Sequence, residues 1–346
     1  MKIRGMEKDF IVIGENIHTT RVVLRKGKRV GVNVNGEESV VFAAPDGSPK
    51  YLTIPEEVKR SQDYEEGRVK HVKVAVKAAM AGQEPEAAVA LEYLKSMVER
   101  QEKTGADFLD LNVDEIALQL EKQKSAMQWL VQTVQEMSKI PVSVDSSNVD
   151  IIRAGLEAGK NARRMLLNSA SLERLEALDL AAHYQIPVIV TAAGEKGMPQ
   201  NDEERITNAT RIIEAALAKG IAIGDIYVDA LVFPISVDSE FGKHCLEAFR
   251  KLRSTYGPEI HITGGLSNIS FGLPCRRLLN DAFILLSVEA GADSGIVDPV
   301  ASHLEEVFST DRNSRGYQLA EDVLLGRDRN CRTFLRAYRK GEIQPS

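Results

Sequence analysis

The feature that most constrains this chain is a repeated alternation of short apolar runs with longer helical stretches. Runs at 10–14, 108–113, 142–144, 165–167, 188–190, 226–228, 261–263 and 294–297 have the length and β-branched content of buried strands. Stretches at 117–137, 149–158, 172–183, 241–252 and 278–289 have helical spacing, and 318–340 reads as a helical tail. Asn201 and Glu204 form a capping-box pattern, ahead of a helix expected to bury Ile206, Ile213 and Leu217 and to stop at Gly220. Upstream, Ala87, Leu91, Leu94 and Val98 share one helical face, with Gly105 placed as the stop. Such alternation predicts parallel α/β architecture. Eight units point to a closed (β/α)8 TIM barrel, because a doubly wound sheet usually has fewer. In that barrel function sits at the C-terminal ends of the strands.

One segment breaks the pattern. Between 21 and 54, short β-like runs at 22–24, 30–34, 39–42 and 51–54 are separated by Lys26-Gly27, Asn35-Gly36 and Asp46-Gly47. These dipeptides are turn signals, two of them strong hairpin signals. The segment reads as a small antiparallel β insertion after strand one, within a single domain spanning 1–346. Its basic residues Arg21, Arg25, Lys26, Lys28 and Arg29 read as a solvated edge that blocks further strand pairing, or as a surface for a partner or a substrate tail. The net charge of −6 argues against a nucleic-acid binder, which needs a basic face. Three scattered cysteines with no metal spacing suggest a reducing compartment. With no apolar leader and no run long enough to span a bilayer, the expectation is a cytoplasmic protein off the membrane.

The strand ends carry the chemistry. They read Glu15-Asn16, Asp110-Leu111-Asn112, Asp145-Ser146-Ser147-Asn148, Asn168-Ser169, Thr191-Ala192, Asp229, Ser267-Asn268 and Asp298. Each alone has a structural reading. Asp145 or Asn148 can cap the helix near Val149, and Asp298 before Pro299 can start a turn. The stretch from Gly264 to Asn280 can be a plain Gly/Pro-rich connection. Together they make a set of acids and amides with little positive charge. That set suits a flat heterocycle, whose N–H and amino groups a carboxylate takes in pairs. It does not suit phosphate, which calls for glycine N–H nests and basic side chains. Asp110, Asp145, Asp229 and Asp298 are also Mg²⁺ or Mn²⁺ ligand types, but no histidine stands at a later strand end and no metal is expected. His71 and His303 read as helix surface, His183 as packing or surface, and His244 and His261 as structural.

These motifs resemble the pterin-binding barrels of methyltetrahydrofolate:corrinoid methyltransferases, including the folate domain of cobalamin-dependent methionine synthase. The similarity is carried by Leu109-Asp110-Leu111-Asn112-Val113, Asp145-Ser146-Ser147-Asn148, Leu167-Asn168-Ser169, Gly197-Met198-Pro199, Ile226-Tyr227-Val228-Asp229 and, above all, Gly265-Leu266-Ser267-Asn268-Ile269-Ser270 with Arg276 and Asn280. It runs from about Ile11 to the C-terminus, outside the insertion. The resemblance implies that Asp110, Asn148 and Asp229 hydrogen-bond the pterin edge and that Asn168 lines the same pocket. Asn268 would sit near N5, the methyl-bearing atom, with Ser267 and Arg276 supporting it or meeting the aminobenzoate portion. It implies methyl transfer between N5 of tetrahydrofolate or 5-methyltetrahydrofolate and the cobalt of cobalamin, with cob(I)alamin as nucleophile or methylcob(III)alamin as donor. A tertiary amine is a poor leaving group, so N5 needs a proton or a strong hydrogen bond, which an asparagine can help supply.

No Asp-x-His-x-x-Gly run of a cobalamin module occurs, so the corrinoid is expected on a separate corrinoid protein docking over the strand ends. Relatives are commonly homodimers. The chain departs from the family at Gly14-Glu15-Asn16-Ile17-His18, where Gly-Glu-Arg-Ile-Asn is frequent, and at Ala193, Ala230 and Arg277. Two alternatives differ in class. Dihydropteroate synthase shares the fold but needs an anion-binding loop after strand one and a basic pair near strand seven, which this chain lacks. A non-catalytic binding subunit would not need the full acid and amide set.

Overall fold

The computed structural model describes residues 9–160, 165–302 and 304–344. Eight strands alternate with helices as a (β/α)8 barrel. They are β1 (Ile11–His18), β2 (Phe108–Asn112), β3 (Val142–Asp145), β4 (Leu166–Ala170), β5 (Val188–Thr191), β6 (Ile226–Asp229), β7 (His261–Thr263) and β8 (Ser294–Val297). They form one sheet in the order β7-β6-β5-β4-β3-β2-β1-β8. β1 pairs with β8, β2 with β3, β4 with β5, β5 with β6 and β6 with β7, all in parallel. Ile296 N donates to Gly264 O at 2.9 Å, linking β8 to the end of β7. Near-continuous burial along these strands matches their apolar runs, as a sheet covered on both faces requires.

The principal helices are α1 (His71–Ala81), α2 (Glu86–Lys103), α3 (Leu120–Met137), α4 (Val149–Ala158), α5 (Glu176–Tyr184), α6 (Asp202–Ala218), α7 (Phe241–Tyr256), α8 (Arg276–Glu289), α9 (Arg315–Leu324) and α10 (Arg332–Arg339). None of the described helices is long and apolar enough to cross a membrane. The tail is not one helix, as its pattern suggested. Asn330 takes φ 56° between α9 and α10, and the Asp328 carboxylate accepts the Thr333 and Phe334 N–H groups, capping a new start.

The chain divides into two compact units. The first holds residues 1–14, 104–107 and 166–346; the second holds 15–103 and 108–165. In the second, the insertion forms a three-stranded antiparallel sheet of Val30–Val32, Glu38–Ala43 and Pro49–Thr53. Its turns use the expected dipeptides, with Gly36 and Gly47 both at positive φ. The run at Val23–Leu24 instead pairs with Arg68–Val69, beyond the expected end of the insertion. The sheet packs on α2, where the Phe42 and Tyr93 rings meet edge-on at 4.9 Å. His71 was expected on a surface but is buried, because its Nδ1 meets the Tyr93 hydroxyl at 2.8 Å. His303 lies outside the described residues.

Candidate active site

In the second unit, β2 and β3 run in register, with Asn112 beside Asp145. Asn112 Nδ2 donates to Asp145 Oδ2 at 2.9 Å. The loop after β2 sends Asp114 across to β3, where its carboxylate accepts from Ser146 Oγ at 2.5 Å and from Ser147 N at 2.9 Å. β1 runs past its apolar core to His18, whose Nε2 lies 2.9 Å from Asp110 Oδ2. Because an ionised carboxylate only accepts, the imidazole is the donor. Asp110 is 0% exposed. The ligand atoms of His18, Asp110 and Asp145 lie within 4.8 Å of one another. They are atom types a divalent ion takes, and here they form a charge cluster held by the His18–Asp110 and Asn112–Asp145 contacts.

The structure gives two of the expected ligands further contacts. Asp110, expected at the pterin edge, is wholly buried and in contact with His18. Asp145, read from sequence as a cap, keeps partial exposure beside it. The cap is Asn148, whose Oδ1 accepts from Asp150 N at 2.8 Å, a contact worth about 1 kcal/mol. The amide nitrogen of Asn148 and the second lone pair of its Oδ1 remain for a ligand.

Burial, then the charge of Asp110, push the Asp145 carboxyl up to about 7, against the pull of His18 and Asn112. Burial acts to lower the His18 pKa, but the hydrogen bond to Asp110 and the charges of Asp110, Asp145 and Glu15 outweigh it and leave it raised.

In the first unit, Asp229 ends β6 between Thr191 and Thr263 in the register of β5, β6 and β7. Its Oδ1 accepts from Leu231 N at 2.7 Å, in a turn where Leu231 takes φ 66°. Burial pushes the Asp229 carboxyl up to about 6, opposed by that N–H and by Arg205. Arg205 was invisible to sequence reasoning. Facing inward from α6, it donates from Nε to Ala230 O at 3.1 Å and from Nη1 to Asn201 O at 3.0 Å. Its guanidinium lies 4.9 Å from the centre of the Phe233 ring. Arg205 takes the inner position on α6 while Leu217 is turned outward, so the buried face is Arg205, Ala209, Ile212, Ile213 and Ala216. Asn168 on β4 is nearly buried, and Arg174 Nη2 donates to its neighbour Ser169 Oγ at 3.3 Å.

After β7 the chain makes a short 3₁₀ turn, Leu266–Ser270, that carries Asn268. Asn268 N donates to Gly265 O at 3.0 Å. A Cβ at Gly265 would sit 2.8 Å from Asn268 Nδ2, and one at Gly264 would sit 3.2 Å from Asp229 Oδ1. The glycine pair therefore leaves room for both polar groups. Arg276 opens α8 and clamps this turn. Its Nη2 donates to Ser267 O and its Nε to Ser270 Oγ, each at 3.0 Å, and its guanidinium lies 4.3 Å from the Phe271 ring centre. Ser270 Oγ in turn donates to Asn280 Oδ1 at 2.7 Å. Both Ser267 and Arg276 thus support the Asn268 turn, Ser267 through its backbone carbonyl.

Comparison with known proteins places the chain in a family. Residues 64–298 match the family described as pterin binding enzyme. The Methylcorrinoid:tetrahydrofolate methyltransferase of Eubacterium limosum is 30% identical over 261 residues, covering 73% of this chain and 89% of that protein. The Methionine synthase of Mycobacterium leprae is 31% identical over 229 residues, 61% of this chain but only 18% of that longer protein. Among solved structures, dihydropteroate synthase from Xanthomonas albilineans in complex with 7,8-dihydropteroate aligns with a TM-score of 0.52 at 21% identity, covering 66% of this chain and 86% of that one. That likeness concerns the fold alone. The chain belongs to the pterin-binding enzymes and, within them, groups by sequence with the methyltransferases that act between folate and corrinoid.

Proposed function

We propose that this protein moves a methyl group between N5 of tetrahydrofolate and the cobalt of a corrinoid carried by a separate protein. The observation that carries the reading is identity at 30% along 89% of a methylcorrinoid:tetrahydrofolate methyltransferase. The donor set fits a pterin. Asp145 at the end of β3 and, in the other unit, Asp229 at the end of β6 are each carboxylates of the type that suits a pterin's N–H and amino edge. Asn168 and the Asn148 amide nitrogen add donors for ring carbonyl and nitrogen atoms. Asn268 presents its amide toward N5, donating to the nitrogen as the methyl leaves, or holding it in place as the methyl arrives. Arg276, Ser270 and Asn280 keep the Asn268 turn rigid, so little reorganisation is needed during the reaction. The corrinoid, when bound, supplies the cobalt centre that takes or gives the methyl group. We further read the protein as a cytoplasmic homodimer; sedimentation as a monomer alone would remove the dimer.

The test is spectrophotometric. Purified protein is mixed with methylcob(III)alamin and tetrahydrofolate, and loss of the methyl–cobalt absorbance is followed. Turnover that falls by about 10²-fold or more in Asn268→Ala supports the reading. Tetrahydrofolate binding without turnover, on free cobalamin and on a corrinoid protein alike, would make the chain a binding subunit instead.

A further inference from the structure

This inference rests on the pterin-binding reading and concerns His18. Its ring closes β1 with 13% of the side chain exposed, against an Asp110 side chain that is wholly buried. Asp145 lies close enough that the ligand atoms of all three fall within 4.8 Å of one another. Two carboxylates this close, one of them wholly buried, cannot both be ionised cheaply without a cation. Two of the neighbouring charged groups are acids already engaged elsewhere. Glu15 is itself acidic and pairs with Arg21 at 3.4 Å. Asp114 is acidic too, and is engaged with Ser146 and Ser147. The imidazole of His18 is a basic group in direct contact with the pair, 2.9 Å from Asp110 Oδ2.

We propose that His18 is the counter-cation of the Asp110–Asp145 pair and so sets the pH above which Asp145 can accept the N–H groups of a pterin edge. A protonated Asp145 presents an O–H where the ligand also presents donors, so binding needs the ionised form. Asp145 already holds its proton up to about 7, through burial and the Asp110 charge, and His18 opposes both. A neutral residue at 18 removes that opposition. Asp145 then keeps its proton to higher pH, and the acid limb of pterin binding moves up. Asp229 is raised to about 6 by burial, and His18 is not among the groups that shift it, so a change at residue 18 reports on Asp145.

Binding of 5-methyltetrahydrofolate to the full-length protein is measured by calorimetry from pH 5.5 to 9, for wild type, His18→Asn and His18→Gln. The expected result is an acid limb shifted upward by about one pH unit, equivalent to about tenfold weaker binding near neutrality, with wild-type affinity recovered at pH 9. A purely structural role would weaken binding by the same factor at every pH. That parallel loss, or an unmoved limb, overturns the proposal. A second measurement needs no ligand and no variant at 18. The His18 ring is titrated by NMR in wild type and in Asp145→Asn, where its midpoint should fall; an unchanged midpoint also overturns the proposal. Wild-type protein that bound no pterin would remove the functional reading instead, and the ring titration alone would then decide whether His18 serves the pair.

Discussion

Asp229 carries a cost that its function explains. Burial holds its carboxyl up to about 6, well above the ordinary carboxylate value. A raised folded-state value means the folded protein binds that proton more tightly than the unfolded chain does. Its contribution to stability is full below the unfolded value near 4 and is lost as pH rises through about 6. Asp229→Asn should therefore be more stable than wild type at pH 8, by on the order of 1–3 kcal/mol, and no more stable at pH 4. Asn keeps an oxygen to accept the Leu231 N–H, so the turn survives. Pterin affinity should fall in the same variant, because an amide cannot take two donors as a carboxylate does. Thermal melts at the two pH values check the first half, and calorimetry with tetrahydrofolate the second. Equal melting shifts at both would show that Asp229 is not a strained acid. Gly265 gives the complementary case. Ala there meets the mobile end of Asn268, not backbone, so the side chain yields and the fold holds. Methyl transfer should drop by about 10²-fold with little change in melting temperature. Retained activity would mean that the Asn268 position does not matter.

At the scale of elements, most strands were legible because their burial is nearly complete and their sequences are correspondingly apolar. The site was legible only where a polar residue ended such a run, as at Asp229. It was obscured where a strand became polar before it ended. β1 continues through Glu15-Asn16-Ile17-His18, which reads as loop in sequence because only Ile17 is apolar, yet those residues are strand and carry His18 to Asp110. Asp145 and Asn148 each had two readings, cap or ligand. Periodicity could not say which of them caps the helix; the Asn148–Asp150 contact does. Arg205 was hidden for a related reason. An arginine in a helical pattern is assigned outward, and nothing local reveals that carbonyls of the loop after β6 are waiting for it. Its role follows from those carbonyls. Without the guanidinium, Ala230 and Asn201 lose buried donors, each worth about 1–3 kcal/mol. Arg205→Leu should destabilise the protein by at least about 2 kcal/mol and loosen the turn that holds Asp229. Arg205→Lys should not rescue it, since one ammonium cannot span both carbonyls while lying against Phe233. Denaturant titration and pterin binding in the two variants check this; full rescue by lysine would leave only a requirement for charge.

For the molecule as a whole, the proposed reaction needs a second protein to reach the strand ends, and part of the exposed surface suits that need. Single exposed apolar residues are ordinary. Here, however, the loops that follow β5, β6 and β7 each present one, with Met198 59%, Val237 75% and Phe271 45% exposed. Substrate binding by the strand ends does not require side chains this exposed, whereas a partner that must dock and leave gains from a few of them. The prediction is a split between acceptors. Met198→Ser combined with Val237→Ser should raise KM for the corrinoid protein by about tenfold, on the order of one good apolar contact. Transfer with free methylcob(III)alamin should be unaffected, as should tetrahydrofolate affinity. Phe271 is left intact in this variant because the Arg276 guanidinium packs on its ring and its loss would disturb the Asn268 turn. Equal losses with both acceptors would move these residues from docking into the site. No loss with either would direct the partner to another face, with the three-stranded insertion the next surface to trim, at its hairpin tip around Val34, which is 97% exposed.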